Sequence, residues 1–169
     1  MSYSMTSQEL YGMVIQIAEK CTQLYHVLEQ KVIDIDLKKT FNNLSLEGKA
    51  QTGLLKEFKA SRFGFDVDRN FNLDKSLFYF SLISEAQKFS ATDAENTTIE
   101  LSDEIGSIQL AVSFEKDSIL FWEELKNLTT GDLQQRIETF IKHKKERIAK
   151  LLQLKMNLMK NWQWLMIGE

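Results

Sequence analysis

Few side chains in this chain are suited to chemistry. There are two histidines, His26 and His143, and a single cysteine, Cys21. One cysteine excludes an internal disulfide. Without a C-x-x-C pair the chain has neither a zinc ribbon nor a rubredoxin-type iron centre, and Cys21 reads as a small buried hydrophobe in a reducing compartment. His143 stands one residue before Lys144, about 100° around a helix from it, and is expected to face solvent. His26 shares a helical face with Glu19, seven residues earlier. Lys144 carries the most information, because it interrupts the apolar stripe Ile137, Ile141, Ile148, Leu151 and would point inward. A buried ammonium costs several kcal/mol unless it is paired. The alternative is that Lys144 snorkels outward along its aliphatic stem.

These residues need rigid supports, and the hydrophobic periodicity supplies four. Leu10, Val14, Ala18, Cys21, Tyr25 and Leu28 recur at helical spacing and predict a first helix from Ser7 to about Ile35. Asp36 to Thr40 reads as a link, and Phe41, Leu44, Leu55 and Phe58 mark a second helix over roughly Leu37 to Arg62. A third runs from about Ser102 through Ala111, Phe114, Glu115 and Trp122 to Leu128, and a fourth from a cap at Asp132 to about Lys160. The chain has no proline and only seven glycines, which favours long uninterrupted helices. The expected fold is all-α: one domain over residues 1–169, an antiparallel four-helix bundle of two hairpins. Residues 63–101 are expected to form a long crossover containing a short helix.

A weak internal repeat joins the two halves. Glu19-Lys20 followed by Leu24-Tyr25 matches Glu115-Lys116 followed by Leu120-Phe121, 96 residues further along. At nearly the same offset Glu47 and Ala50 fall on Lys144 and Arg147.

A glutamate followed six and seven residues later by aromatics, then a turn and a helix bearing Glu-x-x-His, all repeated twice, is the signature of a known family. The best preserved piece here is Glu115 with Phe121 and Trp122. Over about Gln8 to Leu152 the chain resembles the rubrerythrin branch of the ferritin-like di-iron proteins. The resemblance implies that Glu19, Glu47 and Glu115 stand at carboxylate ligand positions, with His26 as a further candidate ligand. It also implies that the site is incomplete. The second-helix histidine falls on Ala50, and the fourth-helix Glu-x-x-His falls on Lys144 and Arg147, so two ligands become cations. The expectation is that no cofactor is bound and that Lys144 and Arg147 replace the metals as counter-ions to Glu47 and Glu115. The alternative is a di-iron oxidoreductase that uses the remaining glutamates for peroxide reduction or iron oxidation, with a separate electron donor.

Charge and hydropathy narrow the partners. Twenty-four acidic against 21 basic residues give a net charge of −3 and no basic field for nucleic acid. Met1 to Gln8 does not read as a signal peptide, and no apolar run reaches the ~20 residues needed to span a bilayer. A cytoplasmic protein without a membrane partner is expected. The segment 161–169 holds Trp162 and Trp164 in an apolar run. It reads either as a last turn packing back or as a buried interface, with homodimerisation preferred. The aromatics Phe78, Tyr79 and Phe80, with Phe71 and Phe89, are expected to cover one end of the bundle, the alternative being a self-association surface. The resulting reading is a non-catalytic binding, structural or regulatory bundle, with a helical interaction module as the third class.

Overall fold

The computed structural model describes residues 7–58, 104–127 and 129–167. The expected crossover at 63–101, with its aromatic stretch and short helix, lies outside them. The described residues are all-helical: α1 is Ser7–Lys31, α2 Ile35–Lys56, α3 Glu104–Asn127 and α4 Gly131–Ile167.

The first break comes earlier than the periodicity suggested. Residues 32–34 make the turn, and Asp36 to Thr40, expected as a link, form the opening of α2. The reason is local. Asp34 accepts the amide of Leu37 at 2.9 Å and so caps α2. Glu104 on α3 then accepts the Ile33 and Asp34 amides at 3.1 and 3.3 Å, which satisfies donors that a turn leaves free. At the other hairpin Gly131 has φ 63, a conformation that glycine adopts without a side-chain clash. Asp132, expected as the cap, lies instead in the first turn of α4. The fourth helix also continues past the expected boundary at 161, through Trp162 and Trp164 to Ile167.

The helices pack as two hairpins, α1 with α2 and α3 with α4, and α1 also touches α3. The side of α2 meets α4 through Glu47 with Arg147, and just beyond α2 Arg136 lies over the ring of Phe58. Every neighbouring pair in this ring is antiparallel. The core shows the direction of each helix. An upper layer collects Leu10, Val14 and Ile17 from α1, Leu55 from α2, Phe121 and Leu125 from α3, and Leu133 and Ile137 from α4. A lower layer collects Leu24 and Leu28, Leu37 and Phe41, Ile108 and Phe114, and Leu151 from the same four helices. Helices α1 and α4 therefore run from upper to lower layer, and α2 and α3 run back. The end of α2 and the start of α3 lie at opposite ends of the bundle.

Between the two layers is a waist where the residues become small or polar. Gly48 lets α2 approach α1 closely, since a Cβ there would come within 2.6 Å of Thr22 Oγ1. Ser45 Oγ donates to the Thr22 carbonyl at 3.3 Å. This waist carries the buried charges.

Candidate functional site: a buried ion cluster at the waist

Glu115 on α3 and Lys144 on α4 face each other across the second hairpin. Their side chains are 0% and 2% exposed, and Lys144 Nζ lies 2.9 Å from Glu115 Oε2. Lys144 does not reach solvent. One turn further along α4, Arg147 is buried between two carboxylates. Its Nη1 lies 3.4 Å from Glu115 Oε1, and its Nε donates to Glu47 Oε2 at 3.1 Å. Arg147 Nη2 lies 3.0 Å from the same Glu47 oxygen. Its N–H bonds are not directed along that line, so this buried nitrogen has charge complementarity without a hydrogen bond. Tyr25 on α1 closes the cluster by donating its hydroxyl to Glu115 Oε1. Both Glu115 oxygens are thereby engaged. Two carboxylates face two cations, so the layer is neutral as a whole.

The electrostatics follow from this closure. Burial alone pushes the Glu115 carboxyl up, but Lys144, Arg147 and the Tyr25 hydroxyl together outweigh it and hold the group below its ordinary value. Burial, and then the negative charge of Glu115, drive the Tyr25 phenol well above its ordinary value, so it remains a donor. Burial also raises the Cys21 thiol, whose Sγ lies 4.0 Å from Ser118 Oγ. That hydroxyl accepts the Trp122 indole N–H at 3.1 Å. Burial disfavours the Arg147 charge, but Glu115 foremost reverses this and raises its pKa further.

The candidate ligands do not converge. Glu47 and Glu115 are linked only through Arg147, and Glu47 is 54% exposed. Glu19 lies on the surface in a 2.7 Å pair with Lys56. His26 is exposed and 3.5 Å from Glu29. His143 is exposed on the rim of an open groove of about 720 Å³ between α2 and α4, lined also by Leu44, Glu47, Phe140 and Arg147. Among the described residues no three histidine, cysteine, aspartate or glutamate side chains are grouped to hold a metal ion. The carboxylate at the centre of this set, Glu115, already faces two fixed cations.

Burial also sets the repeat in a different register. On α1 the inward series Val14, Ala18, Cys21, Tyr25 matches Ala111, Glu115, Ser118, Trp122 on α3, an offset of 97 residues, as between the contacting Cys21 and Ser118. Ala18 is therefore the inward counterpart of Glu115, and Glu19 is turned about 100° away from it. On α2 and α4 the inward series Leu37, Phe41, Leu44, Gly48 matches Leu133, Ile137, Phe140, Lys144, one residue fewer. Lys144 thus occupies the position that is Gly48 in the first hairpin.

Sequence reasoning placed Tyr25 only as an apolar stripe residue and did not foresee its bond to Glu115. A tyrosine on the inward face at the level of a buried glutamate was the available signal, but its partner is 90 residues away. No protein-family model matches this chain, and neither a curated protein nor a solved structure does so.

Proposed function

We propose that this chain is a ferritin-like bundle, similar in plan to rubrerythrin, in which cationic side chains stand where the family holds its two metals, and that it serves as a binding or structural protein rather than as an oxidoreductase. The observation that carries this reading is the Lys144–Glu115 pair, buried on both sides at 2.9 Å. An ammonium at that distance supplies the positive charge that a metal would otherwise give to the carboxylate. Helix direction supports the ferritin-like plan. Two antiparallel hairpins are related so that α2 ends and α3 begins at opposite ends of the bundle, as a bundle with one long crossover requires.

Iron loading tests the proposal. Full-length protein is made in iron-supplemented cells, exposed anaerobically to ferrous iron, desalted and measured for metal by plasma mass spectrometry. A stoichiometry near zero is expected, unchanged in Glu19→Gln and His26→Gln. Retention of close to two irons per chain (the number in the family's site), lost in those variants, would restore the oxidoreductase reading.

A further inference from the structure

Past Leu151, α4 rests on the bundle along one side only. Leu154 and Leu158 pack against the lower core layer, whereas Leu152, Met156 and Met159 are exposed. At 100° per residue these three fall within an arc of about 60° on the side away from Leu154 and Leu158. Trp162 follows one turn after Met159, and Trp164 is 78% exposed. Leu152, Met156, Met159 and Trp162 thus form one exposed apolar face, while Trp164 is turned about 160° from Trp162. The turn between α1 and α2 lies at the same end of the bundle and exposes Ile33 and Ile35.

Within the projecting stretch of α4 the charge has one sign, whereas the turn at the same end carries Asp34 and Asp36 beside Ile33 and Ile35. Residues 148–167 contain Lys150, Lys155 and Lys160 and no acidic residue. By helical angle Lys155 and Lys160 flank the apolar line at about 70° on either side. An apolar line between lysines, with tryptophans at one end, is the pattern of a helix lying in a membrane interface: the apolar side chains enter the acyl boundary while the ammonium groups reach the phosphates.

We propose that the projecting end of α4 docks on the surface of an anionic lipid bilayer, with Leu152, Met156, Met159 and Trp162 in the interface and Lys155 and Lys160 on the headgroups. Two features favour lipid over other occupants. A second copy paired along this face would bring Lys155 and Lys160 close to their own equivalents, with no acidic side chain in the segment to offset the repulsion. The opposite side of the helix stays on the bundle through Leu154 and Leu158, so a flat surface can use what is free while a wrapping groove cannot. No helix among the described residues is long and apolar enough to cross a membrane, and docking in the interface does not require one. The proposal departs from the expectation of no membrane partner.

The test uses the full chain with phosphatidylcholine vesicles, with and without phosphatidylglycerol, read by co-sedimentation and tryptophan emission. Of the three tryptophans, Trp122 is 2% exposed and gives a steady background, so changes report on Trp162 and Trp164. Mixed vesicles should shift the emission to the blue and sediment the protein, with binding weakened by salt. Lys155→Glu with Lys160→Glu should weaken that binding by more than about tenfold, and Met156→Asp should abolish the shift, both with unchanged circular dichroism. Equal binding to both vesicle types would overturn the proposal. So would a chain that scatters light as a dimer and whose emission is already blue without vesicles and moves red in Met156→Asp, since the face would then belong to a second copy. A monomer with unshifted emission that ignores both vesicle types would overturn it in favour of an acidic protein surface.

Discussion

The waist of the bundle and the projecting end of α4 invert the usual distribution of side chains in opposite ways. At the waist, Glu115, Lys144 and Arg147 are charged and buried, and the charges balance against one another and Glu47. At the projecting end, Met156, Met159, Trp162 and Trp164 are apolar and exposed, and the charges on that stretch of α4 are all positive. The difference shows how each feature is stabilised. The buried charges are satisfied inside the molecule, so their energetics belong to folding. The exposed apolar groups are covered by nothing within the described residues, and in the docking proposal their energetics belong to association. Substitutions at the two places should therefore be read out by different measurements.

The largest effect is expected from Glu115→Leu, which leaves Lys144 and Arg147 buried with only the half-exposed Glu47. Breaking a buried pair on one side costs about 3–5 kcal/mol. The loss should appear as a lower urea midpoint in circular dichroism. If the substitution is neutral, the two cations reach solvent and the waist is not closed.

Acid should act in the same direction by a route that the sign of the shift fixes. The folded-state pKa of Glu115 is depressed, so its contribution is fully present above the unfolded value of about 4.3 and is lost as pH falls through the lower folded value. The urea midpoint of the native chain should fall over that window. Glu115→Leu should lack that part of the decline.

Tyr25→Phe removes one donor to a charged acceptor and should cost about 1.5–3 kcal/mol. Since the phenol is shifted upward, the native chain should also lose stability as pH rises past about 10, and Tyr25→Phe should not show that loss.

The smallest effect is expected at the other region. Met156→Asp should change the unfolding free energy by no more than about 0.5 kcal/mol while altering association. A loss of several times that size would show that the projecting turns are folded against the rest of the chain.

The two regions were not equally legible in the sequence. The four helices and their inward stripes follow from periodicity, because burial repeats with the helix and leaves its mark in residue type. The inward position of Lys144 was visible for the same reason: a lysine among Ile137, Ile141, Ile148 and Leu151 is a local exception to a strong pattern. Its relation to Glu115 came through the resemblance. On α1 the stripe already placed Ala18 inward while the resemblance placed Glu19 at a ligand position, and packing against α3 selects Ala18. Asp34 was passed over as a cap because Val32 and Ile35 continue the apolar rhythm across the break. The reach of α4 past residue 161 was hidden by the change to Trp162 and Trp164, which suggested a separate tail although nothing in the residues ends the helix.

The most direct test of the central claim is a comparison of urea unfolding free energies for the native chain, Lys144→Met, and Lys144→Met combined with Glu115→Leu and Arg147→Met. The single substitution leaves Glu115 Oε2 buried without its ammonium partner and should cost on the order of 3 kcal/mol, while the triple, which removes the buried charges together, should recover most of that loss. A Lys144→Met chain as stable as the native one, or a triple that loses more than the single, would contradict the account of the waist as a closed, mutually satisfied ion cluster.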